Sequence, residues 1–505
     1  MIKIQITLES NTHAAHVPDR LFGAFIEHLG RAVYGGIHEP GHPTADENGF
    51  RRDVLELVRE MRVPMVRYPG GNFVSAFNWE DGVGPVEARP RRLDLAWRAV
   101  EPNLVGPHEF MRWAHLAGSE VMMALNLGTR GLEDARNFVE YCNHPAGTYW
   151  SDLRRAHGAA EPFGIKVWCL GNEMDGPWQV GQKTAEEYGK LARETAKALK
   201  LFDPSLELAA CGSSGPGMPT FPGWEEKILE LCNEYVDYIS LHMYARKQGE
   251  DTGSFLAEST EFERFIGTVE RTVDTVAAKT NCRRNIMLSV DEWNVWYHTL
   301  EADKLIPPWT VGPPLLEDVY TLEDALVAGC FLIVLMRHAD RVRMACLAQL
   351  VNVIAPIMTA PGGPVWRQTI FYPFLHASLY GRGELLGAEI RSPTYKSERY
   401  GPVPYVEAVA VHRPAEKEIT LFAVNRSGDK AVSLEVRLGG FVRGRVVEHV
   451  VLDHADPLAV NDRDHPDRVH PRRAEGAVVE KETLTASLPP LSWNMIRVDV
   501  SGANG

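Results

Sequence analysis

The sequence lacks the short motifs that mark several common enzyme classes. It has no G-x-G-x-x-G and no G-x-x-x-x-G-K-[ST] segment, so it carries no fingerprint for a dinucleotide or a nucleoside triphosphate. The zinc motif H-E-x-x-H is missing, because arginine occupies position 112 after His108 and Glu109. The nucleophile elbow G-x-S-x-G is missing too, because residue 216 is proline. We therefore expect no metal and no cofactor.

Cysteine is scarce and shows no pairing pattern. The seven cysteines form no C-x-x-C pair, which argues against a disulfide framework. Three of them, Cys169, Cys330 and Cys346, lie in apolar runs, as buried free thiols in a reducing compartment do. The N-terminus, MIKIQITLES, alternates like a strand and lacks the apolar centre of a signal peptide. These features predict a cytoplasmic location.

Long apolar runs and excess positive charge are also missing. The longest apolar run, residues 325–336, is too short to cross a bilayer and is bracketed by Asp324 and Arg337. The formal net charge is −14, whereas nucleic acids and anionic membranes call for a basic surface. The sequence therefore predicts neither a nucleic-acid partner nor a membrane partner.

What the chain does contain is a regular alternation of strand-like and helix-like segments. Helices are predicted, for example, at residues 184–202, where Thr184 and Glu187 form a capping box, and at residues 322–337. Such an alternation is typical of a parallel sheet closed into a (β/α)₈ barrel, the TIM barrel, which we assign to residues 14–375. The predicted strands are residues 21–27, 65–70, 120–126, 165–172, 206–212, 238–243, 286–292 and 343–350.

The pattern changes after about residue 375. Short alternating segments follow one another without a long helix between them, which indicates an antiparallel β-sandwich of the jelly-roll type over residues 376–505. The strand at residues 2–8, within an N-terminal segment of residues 1–13, is a candidate to complete this sandwich. The fold class is therefore α/β, with a second all-β domain.

Two of the predicted barrel strands end in glutamates, Glu173 and Glu292. Because the carboxyl ends of barrel strands meet at one face, the two side chains are expected to converge there. A pair of carboxylates at such a site suits glycoside hydrolysis, with one as acid/base and the other as nucleophile. The alternative is a structural charge pair at the barrel mouth. Tryptophans, which provide apolar faces for sugars, flank both glutamates: Trp168, Trp178, Trp293 and Trp296.

Other polar residues stand at the ends of predicted strands, and they are expected on the same face of the barrel as the two glutamates. The amide of Asn172 could contact a sugar hydroxyl beside the reacting carbon, and Glu27 and Asn72 could bind other hydroxyls. Tyr244 could hold the nucleophile in line. His242 and Gln349 could serve either as site residues or as ordinary strand-end residues, and Trp97 could be a pocket wall or a packing residue.

Long segments around these residues resemble the α-L-arabinofuranosidases of glycoside hydrolase family 51. They are GNEMDGPWQVGQKTAEEYG at residues 171–189, SVDEWNVWYH at 289–298, RYPGGNF at 67–73 and ADRVRMACLAQLVNVIAPI at 339–357. The resemblance covers nearly the whole chain. Residues 301–314 match the family only loosely. This segment follows the seventh predicted strand, beside the expected active site, so it bears on which leaving group is accepted.

The resemblance implies a retaining enzyme in which Glu173 is the acid/base and Glu292 is the nucleophile. It also implies that Tyr244 orients Glu292, and that the following residues contact the sugar or line its pocket: Glu27, Asn72, Trp97, Asn172, Trp296 and Gln349. Family members associate into homo-oligomers, often hexamers arranged as trimers of dimers. The expected substrate is an arabinofuranosyl oligosaccharide from arabinan or arabinoxylan, cleaved at its non-reducing end.

Two other functions fit the same residues less well. Another retaining glycosidase on this scaffold, an endo-β-glucanase or a β-xylosidase, would use the same two carboxylates, and an open cleft would favour the endo-acting kind. A sugar-binding protein without catalysis is the second alternative, and the presence of both Glu173 and Glu292 speaks against it.

Overall fold

In the computed structural model, eight parallel strands close into a barrel. The structure describes residues 1–249, 251–296, 298–441 and 444–501. The predicted (β/α)₈ fold is confirmed, although several strands are shorter than predicted and the sixth and seventh are longer. In chain order the barrel strands are Gly23–Phe25, Met65–Tyr68, Glu120–Ala124, Val167–Leu170, Glu207–Ala210, Tyr238–Ala245, Met287–Val295 and Val342–Ala348.

Helices surround the barrel or connect it to the second domain. The helix Ala185–Phe202 begins with the predicted capping box, since Glu187 N–H donates to the Thr184 hydroxyl oxygen and Thr184 N–H donates to the Glu187 carboxylate. The α-helices are Arg52–Glu60, Pro107–Ala117, Leu132–Asn143, Tyr149–Ala156, Ala185–Phe202, Gly223–Cys232, Thr252–Phe255, Ser259–Thr280, Leu300–Asp303, Leu322–Arg337 and Phe371–Tyr380. Among the described residues, no helix combines the length and apolar character that a membrane span requires.

The second domain is a ten-stranded sheet that is mostly antiparallel. The N-terminal strand joins it, as predicted: Ile2–Val17 pairs antiparallel with Gly383–Arg391 and parallel with Val432–Arg437. In sheet order the strands are Arg472–Arg473, Arg445–Leu452, Ser492–Asp499, Glu418–Asn425, Val406–Arg413, Gly383–Arg391, Ile2–Val17, Val432–Arg437, Thr483–Leu488 and Val478–Glu480.

The two halves of this sheet fold over a shared core. Ile6 and Leu434 from one half lie in the same apolar cluster as Leu421 and Ile496 from the other. The opposite face of the half that contains Ser492–Asp499 packs on the barrel, so that half is buried on both sides. The sequence-based boundary between residues 375 and 376 falls inside the helix Phe371–Tyr380, and the first sheet strand after it begins at Gly383. The extents of the two domains remain predictions.

Within the described residues, three small antiparallel strand pairs lie outside the barrel and the large sheet. One of them, Arg92–Asp94 with Ala99–Glu101, is a hairpin between the second and third barrel strands in the chain, and its tip carries Trp97. The other two are Ile357–Thr359 with Val365–Arg367 and Thr394–Ser397 with Gly401–Pro404.

Trp493 joins the sheet domain to the barrel and should contribute strongly to stability. It is fully buried, its indole N–H donates to His376 Nδ1 at 3.1 Å, and a Cβ at Gly329 would lie 2.6 Å from its ring. We expect Trp493→Ala to lower the free energy of unfolding by about 3–5 kcal/mol, because a large cavity opens at this contact. Leu201→Ala, at an exposed position, should change it by less than about 0.5 kcal/mol. Urea unfolding of both variants tests this, and equal stabilities would contradict it.

Candidate active site

A cavity of about 440 Å³ opens at the carboxyl ends of the barrel strands. Asn172 and His242 lie beneath it, buried and hydrogen-bonded to residues of the site. The strand register brings these side chains together, since Glu292 pairs with His242 on the neighbouring strand. The other predicted site residues line the cavity directly: Glu27, Asn72, Trp97, Glu173, Tyr244, Glu292, Trp296 and Gln349.

Glu173 follows the fourth barrel strand in an uncommon backbone conformation. Its φ is 43°, a left-handed value that non-glycine residues adopt rarely and mostly at functional or turn positions. The Trp178 indole N–H donates to Glu173 Oε2 at 2.6 Å, and Glu173 Oε1 lies 2.8 Å from His242 Nδ1. Burial raises the pKa of Glu173, the hydrogen bond with His242 lowers it, and the net shift is upward. Glu173 is therefore suited to hold a proton.

Glu292 lies within the seventh barrel strand and accepts hydrogen bonds at both oxygens. Arg67 Nη1 donates to Oε1 at 2.8 Å, and the Tyr244 hydroxyl donates to Oε2 at 2.8 Å. Burial raises the pKa of Tyr244 well above its ordinary value, and the charge of Glu292 adds to this effect, so the phenol keeps its proton. These donors hold the Glu292 carboxylate in place and stabilise negative charge on it.

His242 connects the two glutamates to a third carboxylate. Its Nδ1 lies 2.8 Å from Glu173 and 3.4 Å from Glu292, and its Nε2 lies 3.0 Å from Asp291. Burial alone would lower its pKa, but the surrounding carboxylates outweigh burial and raise the pKa well above the ordinary histidine value. His242 is thus an integral part of the site rather than an isolated strand-end histidine.

Glu27 also lines the cavity. Its Oε1 accepts hydrogen bonds from the Trp97 indole and from Phe73 N–H, both at 2.8 Å. Its own backbone N–H donates to Gln349 Oε1 at 2.9 Å. Burial raises the pKa of Glu27 to about 8, so its carboxyl group can be protonated near neutral pH. A Cβ at Gly71 would lie 2.3 Å from Glu27 Oε2, so only glycine leaves this carboxyl group its space.

The amide of Asn172 is fixed by three neighbours. Arg67 Nη2 donates to its Oδ1 at 2.7 Å. Its Nδ2 lies 3.3 Å from Asn72 Oδ1 and 3.4 Å from Gln179 Oε1. Because Arg67 binds the Oδ1 atom of Asn172, the Nδ2 group of this amide faces Asn72. Asn72 itself lines the cavity.

The two catalytic candidates lie close together. One carboxylate oxygen of Glu173, one of Glu292 and a ring nitrogen of His242 all lie within 4.8 Å of one another. Retaining glycosidases keep their carboxyl groups about 5–5.5 Å apart, whereas inverting ones need about 6.5–9.5 Å to admit a water molecule. The same three groups have the spacing of metal ligands, so the expected absence of a metal stays a prediction.

Comparisons with known proteins agree with this geometry. A family model described as alpha-L-arabinofuranosidase 1 domain matches residues 57–264, and one described as alpha-L-arabinofuranosidase C-terminal domain matches residues 291–492. The intracellular exo-alpha-(1->5)-L-arabinofuranosidase 1 of Bacillus subtilis is 56% identical over 99% of both chains. The chain belongs to the α-L-arabinofuranosidases of glycoside hydrolase family 51.

Two further relatives come from Bifidobacterium longum. A solved family 51 alpha-L-arabinofuranosidase has a TM-score of 0.94 and 47% identity, and the match covers 98% of this chain and 99% of that one. A protein named exo-alpha-(1->6)-L-arabinofuranosidase is 48% identical over 98% of this chain and 97% of its own. Family 51 membership favours a glycoside hydrolase over a non-catalytic sugar-binding protein.

The sequence analysis did not single out three buried residues that contact the candidate site residues. Arg67 and Asp291 lie inside barrel strands, and Gln179 lies in the turn after Glu173. A signal was present for the first two, because a charged residue within a buried strand requires a charged or polar partner. Of the four flanking tryptophans, Trp178 and Trp296 line the cavity, whereas the other two, Trp168 and Trp293, are buried in the barrel core.

Gly71→Ala should damage the site with little effect on the fold. The added methyl group would displace the Glu27 carboxyl group, and a misplacement of about 1 Å can cost about 100-fold in rate. We expect kcat/KM on an aryl α-L-arabinofuranoside to fall by about this factor, with a melting temperature near that of the wild type. Gly215→Ala is a matched control, since nothing lies within 4 Å of its added Cβ. Equal activity of the two variants would refute the role given to Gly71.

Proposed function

We propose that this protein is a retaining, exo-acting α-L-arabinofuranosidase that releases terminal arabinofuranosyl residues by double displacement. The observation that carries the proposal is the close pair of differently supported carboxylates, Glu173 and Glu292, which have one oxygen each within 4.8 Å of the other. Glu173 has a raised pKa, while Glu292 receives hydrogen bonds from Arg67 and Tyr244. One group is suited to carry a proton and the other to carry negative charge.

In the first step, Glu292 attacks the anomeric carbon and forms a covalent glycosyl-enzyme. Glu173 gives its proton to the leaving oxygen, so the alcohol departs neutral. Trp178 donates to Glu173 Oε2 and His242 contacts Oε1, which together fix the direction of the carboxyl group. In the second step, Glu173 takes a proton from water, and that water releases the sugar with its configuration retained.

The remaining cavity residues are proposed to hold the sugar. Glu27, Asn72 and Gln349 offer polar groups to its hydroxyls, and Trp97 and Trp296 form apolar walls. Asn172 is proposed to act beside the reacting carbon. A pocket of about 440 Å³ with walls on several sides favours cleavage at a chain end over binding along an open cleft.

The relatives' names suggest which substrates to test first. The Bacillus subtilis protein is named for the α-(1→5) linkage and a Bifidobacterium longum protein for the α-(1→6) linkage. We propose short α-(1→5)-linked arabino-oligosaccharides as substrates, because the more similar of these two relatives carries that name. The word "intracellular" in the Bacillus protein's name also supports a cytoplasmic location for this chain.

A substitution series should separate the roles of the two glutamates. Glu292→Ala removes the nucleophile, so no leaving group restores activity. Glu173→Ala removes only proton transfer, so a dinitrophenyl arabinofuranoside should still form the glycosyl-enzyme, which then accumulates. Azide needs no general base and should restore turnover, giving a glycosyl azide of retained configuration. Azide rescue of Glu292→Ala with retained configuration, without rescue of Glu173→Ala, would reverse the assignment, and inversion by the wild type would refute the mechanism.

The pH dependence should differ between two substrates of the wild-type enzyme. Because Glu173 must be protonated to help a poor leaving group, kcat/KM on an arabino-oligosaccharide should fall as pH rises through the Glu173 pKa, above the ordinary value of 4.5. A dinitrophenyl leaving group needs no proton, so this decline should be absent with that substrate. Glu27, with a pKa of about 8, titrates in both assays. The same decline with both substrates would assign it to Glu27 or His242 instead.

We further propose, on the basis of the family resemblance, that the protein forms a homo-oligomer, with a hexamer as the first form to test. Multi-angle light scattering at micromolar concentration should give a mass that is a multiple of the 56.3 kDa chain. A mass of one chain at that concentration would overturn the proposal.

A further inference from the structure

Gln179 lies outside the proposed set of catalytic and sugar-binding residues, yet it is buried next to it. Only 3% of its surface is exposed. It belongs to the tight turn that follows Glu173, where Gly176 N–H donates to Glu173 O and Gln179 N–H donates to Gly176 O. The neighbouring residue in this turn, Trp178, donates to the Glu173 carboxylate.

The side chain of Gln179 bridges two segments at the cavity floor. Its Oε1 is 3.4 Å from Asn172 Nδ2, and its Nε2 donates to the hydroxyl of Ser75. Ser75 is fully buried and lies in the short 3-10 helix Asn72–Ala76, whose first residue lines the cavity. One amide therefore connects the segment after the second barrel strand to the segment after the fourth.

The surroundings keep this bridge rigid. Ser75 O accepts hydrogen bonds from the backbone N–H and the hydroxyl of Thr129, at 3.1 and 2.8 Å. A Cβ at Gly128 would lie 2.6 Å from the Ser75 Cβ and 2.5 Å from Val180 O, so the turn and the 3-10 helix pack without spare room. Gln179 consequently has little freedom to adopt another position.

Hydrogen-bond geometry then constrains the Asn172 amide. Arg67 donates to its oxygen, which directs the two N–H groups away from the guanidinium. Gln179 Oε1 can accept one of these N–H groups. The other is left for Asn72 or for a substrate hydroxyl. Without an acceptor at residue 179, the Asn172 amide can rotate, and its N–H group then no longer points toward a sugar hydroxyl.

We propose that Gln179 is a positioning residue that holds the Asn172 amide with one N–H directed at the substrate. It acts through Asn172 and does not itself touch the sugar. This inference rests on the proposed arabinofuranosidase function, because it assigns Gln179 a role in transition-state binding at that site.

A double-substitution cycle tests the proposal. Gln179→Met keeps a side chain of similar length and removes both hydrogen-bonding groups. We expect it to lower kcat and kcat/KM on an aryl α-L-arabinofuranoside together by about tenfold, the size of one lost hydrogen bond, with KM unchanged. In an Asn172→Ala background the same substitution should change kcat/KM by less than about twofold, because the group it positions is gone.

Two further variants provide controls. Gln182→Met replaces an exposed glutamine of the same turn, whose side chain bonds only to Asp175 O among the described contacts, and should leave kcat/KM unchanged. Gln179→Glu retains an oxygen for Asn172 and can still bond to the Ser75 hydroxyl in either protonation state, so it should stay within about threefold of wild type. It also serves as the working variant if Gln179→Met does not fold.

The outcomes separate this inference from the proposed function. If the wild type hydrolyses the arabinofuranoside but Gln179→Met has the same relative effect with and without Asn172, Gln179 does not act through Asn172 and the inference is wrong. An active Gln179→Met at wild-type kcat/KM, or a Gln179→Glu variant with less than a tenth of wild-type activity, would also overturn it. A folded wild type without arabinofuranosidase activity would overturn the proposed function and this inference with it.

Discussion

The site depends on keeping several carboxylates buried in one small volume. Glu173, Asp291 and Glu292 lie around His242, and all four side chains are almost fully buried. Buried charge of one sign is costly unless opposite charge and hydrogen bonds offset it. Arg67 supplies part of that compensation from the second barrel strand, 2.8 Å from Glu292 and 3.7 Å from Asp291. The barrel must hold this cation under the site for the carboxylates to remain there.

The same arrangement distinguishes two chemically identical side chains. Glu173 lies at the end of its strand, where burial raises its pKa and its partners are an indole and an imidazole. Glu292 lies inside its strand, within reach of a guanidinium and a phenol. Acid/base and nucleophile roles follow from such a difference in surroundings rather than from residue type. A glycosidase needs both roles within one cavity, and the two glutamates proposed for them come from strands that are three positions apart.

The turn after Glu173 positions two side chains of the site. It places Trp178 on Glu173 and Gln179 on Asn172, so one short segment contacts the acid/base candidate and an amide proposed to bind the sugar. The hairpin that carries Trp97 contacts Glu27 in a similar way. Both segments are loops anchored to a rigid barrel, the usual way in which this fold varies its chemistry.

The sequence alone determined the features that depend on local periodicity. Alternating apolar runs predicted the eight strands, a capping box marked the start of the helix Ala185–Phe202, and the helix Leu322–Arg337 has its predicted ends. The position of glutamates after apolar runs singled out Glu173 and Glu292. These signals are local because each strand or helix must bury its own apolar face.

Only the tertiary structure decided which distant groups meet. Arg67 and Glu292 are 225 residues apart in the chain, and the N-terminal strand pairs with one more than 400 residues later. Local periodicity carries no information about a partner so distant in the sequence, so the sequence analysis did not identify Arg67, Asp291 and Gln179. Whether a tryptophan lines the cavity, as Trp178 does, or fills the core, as Trp168 does, was settled by packing and not by its spacing from a glutamate.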